Sequence, residues 1–289
     1  MPNTIYFGDN LPILTNMPDA SVDLIYIDPP FNTGRTQART QIKTQRVQAD
    51  PDAADGAPGG DRTGFAGRRY ETIKIGSQAY TDAFDDYLAF LEPRLRQAYR
   101  LLKPHGSLYF HIDYREVHYC KVLLDSIFGR ASFLNEIIWA YDYGARTRKK
   151  WPAKHDNILW YAKDPENYTF NVEEIERIPY MTPNLVGPEK AARGKLPTDT
   201  WWHTIVPTNS KEKTGYPTQK PLGILRRILQ ASSNPGDTVL DFFAGSGTTG
   251  AACLELGRRF MLVDANPQAI AVMRKRFADC ADLEWIDAG

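Results

Sequence analysis

The chain has 289 residues, 35 basic and 35 acidic side chains and no net charge, and its hydrophobic and aromatic shares (42% and 12%) are those of an ordinary globular protein. That length suits one large α/β domain with inserts, or a domain plus a small lobe, and no apolar run is long enough for a membrane span. Three cysteines, Cys120, Cys253 and Cys280, share no metal-ligand or redox spacing, so no disulfide framework is expected, and with no basic-then-apolar leader ahead of the first strand the setting expected is reducing and cytoplasmic.

In chain order, Thr4 to Phe7 reads as a short strand ending at Gly8-Asp9. Val22 to Ile27 is a near-continuous apolar run, as a strand buried on both faces requires, and Asp28-Pro29-Pro30 forces the chain out of the sheet. The stretch 34–67 is rich in Gln, Arg, Thr, Ala, Gly, Pro and Asp with almost no apolar periodicity, and an insertion over about 34–80 is expected to be mobile. A helical stripe (Phe84, Leu88, Leu91, Leu95, Leu102) follows, with Pro93 inside it predicting a kink or a break into two helices. Ser107 to Ile112 reads as a strand, Val117 to Phe128 as a helix, and Glu136 to Tyr143 and Asn157 to Tyr161 as two more strands. From Asp142 to about Thr214 prolines recur and periodicity fades, which marks a separate substrate-reading segment. A helix opens at Pro221, a strand spans Thr238 to Leu240, a Gly-rich turn leads into a helix stopped by Gly257, and Arg259 to Val263 is a strand ending at Asp264. Asn266-Pro267 caps the last helix. Alternating strands and helices imply a mostly parallel, doubly wound sheet.

Two motifs carry chemistry. Asp241-Phe242-Phe243-Ala244-Gly245-Ser246-Gly247-Thr248-Thr249-Gly250 leaves a strand and opens a helix, so its glycines let backbone approach a ligand at the carboxyl edge of the sheet. Asp264, ending the next strand, can hold the ribose hydroxyls of a nucleoside cofactor. Gly245, Gly247 and Gly250 also fit a dinucleotide fingerprint, which keeps an NAD-linked oxidoreductase as a rival. Asp28-Pro29-Pro30-Phe31 presents an acid, a rigid carbonyl and an aromatic ring directly off a buried strand. The acid and the Pro29 carbonyl can accept hydrogen bonds from an amino group while Phe31 stacks on a flat heterocycle. In isolation, each motif also fits a plain turn.

Together these motifs resemble the β class of exocyclic-amino (adenine-N6 or cytosine-N4) DNA methyltransferases, in which the catalytic motif comes first and the cofactor motif last. Tyr216-Pro217-Thr218-Gln219-Lys220-Pro221 matches the block that class carries before the cofactor strand, and Gly106 to Asp113 and Phe133 to Trp139 are similar to further family blocks. The resemblance implies a circularly permuted class I S-adenosylmethionine-dependent fold, a seven-stranded, mostly parallel sheet with an inserted target-recognition region. Its parts would be a catalytic half (1–141), the recognition region (142–214) and a cofactor half (215–289). It further implies Asp28, Pro29, Pro30 and Phe31 as catalytic residues. Asp9 would lie near the cofactor's adenine, Asp264 would hold the ribose, Asp241, Phe243 and Gly245 would line the methionine end, and Asp28, Phe242, Ala244, Ser246, Gly247, Thr248 and Ala265 would be further cofactor-binding residues. Thr218, Gln219 and Lys220 would close over the methionine carboxylate.

The implied substrate is double-stranded DNA, with a second copy of the chain and a cognate restriction endonuclease as further partners and no membrane. The implied reaction is methyl transfer to a flipped-out base, adenine N6 ahead of cytosine N4; a non-catalytic DNA-binding subunit of a modification complex is the alternative from another class. No cysteine follows a proline, which separates the chain from cytosine-ring methylation. His111, Asp113, His118 and Cys120 match no standard metal site, so no metal is expected. The basic run Arg146, Arg148, Lys149, Lys150 and Lys154 is expected to contact phosphates, and Trp201-Trp202-His203 to be core, with contact to DNA as the alternative.

Overall fold

A computed structural model describes residues 2–32, 84, 86–142, 147–207 and 209–288, and the backbone strands of 35–46, 62–63 and 69–82. The chain forms two compact units, Met1–Phe31 with Asp85–Gly289, and Asn32–Phe84.

The larger unit is built on a sheet of nine strands. In chain order they are β1 (Asn3–Phe7), β2 (Val22–Ile27), β6 (Leu102–Ile112), β7 (Phe133–Ala140), β8 (His155–Ala162), β9 (Thr200–Trp202), β10 (Thr238–Asp241), β11 (Arg259–Asp264) and β12 (Leu283–Asp287); β3 to β5 belong to the smaller unit. The spatial order is β12-β1-β11-β10-β2-β6-β8-β7-β9. Strands β12 through β6 are mutually parallel, and β8 runs antiparallel to both β6 and β7. The seven strands from β1 to β7 make the permuted sheet expected, and β12 and β9 extend its two edges. The permutation is visible in β1, the first strand of the chain, which pairs Phe7 with Asp264 of β11. The strand order reverses at β10 and β2, so a crevice for ligands opens at their carboxyl ends.

All six residues of β2 are buried. Leu24 and Tyr26 join a cluster with helices α5 (Leu222–Ser232), α6 (Thr248–Glu255) and α7 (Pro267–Arg276). Ile25 and Ile27 point the other way and are equally buried. Burying each such isoleucine contributes about 1.5–3 kcal/mol, and this two-sided burial fixes the height at which Asp28 leaves the sheet. The edge opposite the crevice is pinned by Asp23, whose carboxylate accepts from Lys103 Nζ (2.9 Å), His105 Nε2 (2.9 Å) and the Thr238 amide (2.9 Å).

Three expectations change. Helix α2 (Tyr87–Leu101) is one continuous helix with Pro93 inside it, capped by Asp86, because its buried face of Leu91, Leu95 and Ala98 runs past the proline. Pro221 is the N-cap of α5 rather than its first residue. The polar stretch after Asn32 contains strands, with β3 (Arg35–Arg46) and β4 (Arg62–Thr63) pairing antiparallel with β5 (Arg69–Asp82). Backbone pairing needs no apolar alternation, which is why periodicity did not show it. The rest of the expected mobile insertion, within 34–80, lies outside the described residues. Helix α1 (Asn10–Asn16) was not foreseen.

Candidate active site

The Asp28–Phe31 loop leaves the carboxyl end of β2 between β10 and β6. It is held from α2, where the Tyr87 hydroxyl donates to the Pro30 carbonyl at 2.6 Å. The two oxygens of Asp28 have different surroundings. Oδ2 lies 2.7 Å from Lys220 Nζ, whose ammonium also sits 4.8 Å above the Phe31 ring. Oδ1 is buried and has no hydrogen-bond partner among the described residues. A buried acceptor with an unmade bond costs about 1–3 kcal/mol, so it marks a place where a donor belongs.

Beneath the loop lies a polar chain centred on His111, which the sequence groups only with Asp113, His118 and Cys120. His111, on β6, is fully buried. Its Nδ1 is 2.7 Å from the Tyr26 hydroxyl and 3.9 Å from Asp28 Oδ1, and its Nε2 is 3.2 Å from Asp156 Oδ2 on β8. Tyr141 donates to the other Asp156 oxygen at 3.0 Å. Burial would raise the Asp156 pKa, but the hydrogen bond and charge of His111, the Lys220 ammonium and the Tyr141 hydroxyl outweigh it and hold the carboxyl below its usual range. Burial, with the charges of Asp28, Asp241 and Asp156, pushes the Tyr26 hydroxyl up. The His111 ring meets Trp139 edge-on (5.5 Å) and Phe31 at a tilt (5.9 Å).

Across the crevice, the Gly-rich turn is organised by two acids. Asp241 accepts from Thr249 Oγ1 (2.6 Å) and the Phe243 amide (3.1 Å), and Asp264 from the Gly245 amide (2.7 Å) and the Asn266 amide (2.8 Å). Burial, aided by the charges of Asp28 and Asp264, pushes Asp241 up to about 7 against its two hydrogen bonds. Burial likewise pushes Asp264 up to about 6 against the bonds from Asn266 and Gly245. Two carboxyl groups whose burial disfavours the anion suit a ligand that brings positive charge and hydroxyl donors. Gly247 turns the chain into α6 at φ +72°, where an added Cβ would lie 2.8 Å from Phe277 Cε2 and 2.9 Å from Met273 Cγ. Acids, left-handed turn and open backbone together fit a nucleoside cofactor with a sulfonium.

Other expected site residues are placed as follows. Ser246 and Thr248 are buried within the turn, bonded to each other at 3.1 Å, and Thr248 also reaches the Lys220 carbonyl at 3.2 Å. The Phe242 ring and Ala244 are buried, while Ala265 is exposed beside Asp264. Asp9 caps α1 and pairs with Arg94 at 2.9 Å. Its neighbour Asn10, which the sequence reading passed over, donates to the Phe242 carbonyl at 2.7 Å and accepts from Arg94 Nε at 2.6 Å, tying α1 and α2 to the turn. Of the trio expected at a carboxylate, Thr218 is exposed and Gln219 bonds within its own loop, to Thr214 and Glu212. Lys220 pairs with Asp28.

Arg148, Lys149 and Lys150 are exposed on the segment between β7 and β8, Lys154 is half-buried, and Arg146 lies outside the described residues. Trp151, beside them, is 94% exposed. Trp201 is core, but Trp202 is 77% exposed, because successive residues of β9 face opposite ways. Burial pushes the Cys120 thiol up to about 12 and raises Cys253 as well, so neither is a thiolate at neutral pH. Among the described residues no group of His, Cys, Asp or Glu is placed to hold a metal ion, and no helix is long and apolar enough to cross a membrane.

The DNA methylase family model, covering N6 and N4 enzymes, matches residues 22–275. A DNA adenine methyltransferase, YhdJ of Escherichia coli K12, is 31% identical over 281 residues, covering 94% of this chain and 82% of that one. The M1.HpyAVI–SAM complex superimposes with a TM-score of 0.58 at 21% identity, covering 95% of this chain and 98% of that one. The cytosine-N4-specific PvuII DNA methyltransferase gives 0.64 at 15% identity, covering 96% and 88%.

Proposed function

The chain belongs to the N6/N4 DNA methylase family, and from that membership we propose that it moves the methyl group of S-adenosylmethionine to the exocyclic amino group of a base flipped out of double-stranded DNA, adenine N6 in the first place. The observation that carries this reading is Asp28 Oδ1, a buried acceptor without a donor at the mouth of a crevice whose other wall is the Gly-rich turn.

The residues divide the work. Asp264 receives the ribose hydroxyls, and Asp241 with the turn from Phe242 to Thr248 encloses the methionine end. Once bound, S-adenosylmethionine supplies a methyl group on a positively charged sulfur. Flipping a base costs a few kcal/mol of stacking and pairing, and Phe31 recovers about 1–3 kcal/mol by stacking on it. Asp28 Oδ1 and the Pro29 carbonyl accept the two amino hydrogens and draw the nitrogen toward sp³ geometry, so that its lone pair points at the methyl carbon. Lys220 holds the other Asp28 oxygen and fixes the carboxylate plane. The exposed Arg148, Lys149 and Lys150 take phosphates beside the crevice. Positioning and electrostatics do the catalysis, without a covalent enzyme intermediate.

Aspartate at the head of the tetrapeptide and the adenine enzyme among the relatives favour adenine; cytosine N4 would ask the same of the loop. The test is expression of the chain alone in a host without DNA methylation, followed by sequencing of the plasmid for modified bases. N6-methyladenine at one short sequence is expected, and an unmodified plasmid from Asp28→Ala. N4-methylcytosine would reassign the base, and an unmodified plasmid from active-site-intact, folded protein would favour a subunit that needs a partner.

A further inference from the structure

His111 stands in contact with the proposed catalytic loop, yet methyl transfer as derived above leaves it without a task. Its surroundings specify its state. Asp156 Oδ2 lies 3.2 Å from Nε2 and accepts its hydrogen, which leaves Nδ1 as the acceptor. The Tyr26 hydroxyl, kept protonated by its burial, donates to that Nδ1 at 2.7 Å. A histidine in this form offers no proton to Asp28, and Asp28 Oδ1, 3.9 Å from Nδ1, is without a donor among the described residues. The arrangement is that of a base oriented by a carboxylate, with its second nitrogen, held by the Tyr26 hydroxyl, 3.9 Å from the acceptor of the amino group.

We infer that His111, oriented by Asp156 and Tyr26, is a positioning residue that keeps Asp28 Oδ1 free for the amino group and then takes from Asp28 the proton that methyl transfer releases. The inference rests on the proposed reaction. As the amino nitrogen bonds to the methyl carbon, its lone pair becomes the new N–C bond, and the old C–S electron pair stays on sulfur. The nitrogen is then one proton over and passes it to Asp28 Oδ1. The proton moves on to His111 Nδ1 as the Tyr26 hydroxyl turns away, and the imidazolium rests between the carboxylates of Asp156 and Asp28 until the product leaves and solvent accepts the proton. Asp28 is thereby returned to its anionic form. The charged and titratable groups around this path are Tyr26, Asp28, Tyr141, Asp156 and Lys220.

The full chain and its His111→Phe and Asp156→Asn variants test this. In wild-type protein labelled with 15N at histidine, His111 should carry hydrogen on Nε2 and none on Nδ1 near pH ~7, and Asp156→Asn should lose that preference. In single turnover on unmethylated phage DNA, His111→Phe, which keeps a ring against Phe31 and Trp139, should be slower by about tenfold to a hundredfold. It should also lose the acid limb that an imidazole acceptor gives the wild type, while heat protection by S-adenosylmethionine stays unchanged. A wild-type rate with an unchanged acid limb in His111→Phe, or hydrogen on Nδ1 in the resting protein, overturns the inference. Should His111→Phe fail to fold, the nitrogen spectra of the wild type and Asp156→Asn decide alone. An active Asp28→Ala enzyme would remove the reaction itself, whereas an inactive one beside an unaffected His111→Phe would remove only the relay.

Discussion

Strand β2 carries an aspartate at each end of the sheet, and the two have opposite environments. Asp23, at the amino edge, is 3% exposed with every bond made, from Lys103, His105 and the Thr238 amide. Burial alone would raise its pKa, but these partners outweigh it and hold the carboxyl below its usual range. Asp28, five residues on, keeps one oxygen buried and unbonded. The residue type is the same and the strand is the same. Completed bonding makes the first a fastener of β2, β6 and β10, and the missing bond makes the second a receptor.

The largest effect expected at the fastening edge is from Asp23→Ala, which strands Lys103, His105 and the Thr238 amide. It should cost about 3–5 kcal/mol of unfolding free energy in urea titrations, while whatever remains folded keeps its rate per molecule. A loss of activity without loss of stability would blur the contrast. The pH dependence has a defined sign: with a lowered folded pKa, Asp23 stabilises above its unfolded pKa, and that contribution is lost as pH falls through the folded value.

The receptive edge behaves differently at the turn. Gly247→Ala forces a left-handed φ on a side chain and drives Cβ into Phe277 and Met273, so about 2–4 kcal/mol should be lost, visible as a lower melting temperature. A smaller effect tests the acids. Asp241, raised from 3.8 to about 7, lends stability that is present below 3.8 and lost as pH rises through 7. A cationic ligand should relieve that loss, so S-adenosylmethionine should raise the melting temperature more at pH ~8 than at pH ~5.5. Equal shifts would mean that Asp241 does not feel the ligand's charge. The smallest effect is expected on the surface. Replacing Arg148, Lys149 or Lys150 by alanine should reduce the salt dependence of DNA binding by about 0.9 in log–log slope per phosphate contact, and an unchanged slope would place the DNA elsewhere.

What could be read from the sequence was what is local. The apolar run of β2, the strand–turn–acid pattern from Thr238 to Asp264 and the Asn266-Pro267 cap each lie within a short window, and the structure has them at those positions. The contacts that complete the site are not local. Asn10 meets Phe242 across 232 positions, Arg94 meets Asn10 across 84, and His111 meets Tyr26 and Asp156 across 85 and 45. No periodicity encodes such pairs; the closest signal was that His111 is flanked by apolar residues in a buried strand and so needed polar partners. The strands after Asn32 escaped notice because backbone pairing there is not announced by a sustained apolar alternation. Trp202 was grouped with Trp201 although adjacent strand residues face apart.

The most direct test of the receptor reading is Asp28→Asn, with single-turnover methylation and melting temperature measured on the same preparation. The amide oxygen can stay on Lys220, which turns an NH2 toward the position where an acceptor is needed. Methyl transfer should fall by about a thousandfold or more, with the melting temperature held or raised and S-adenosylmethionine still bound. Methylation near the wild-type rate would contradict the account.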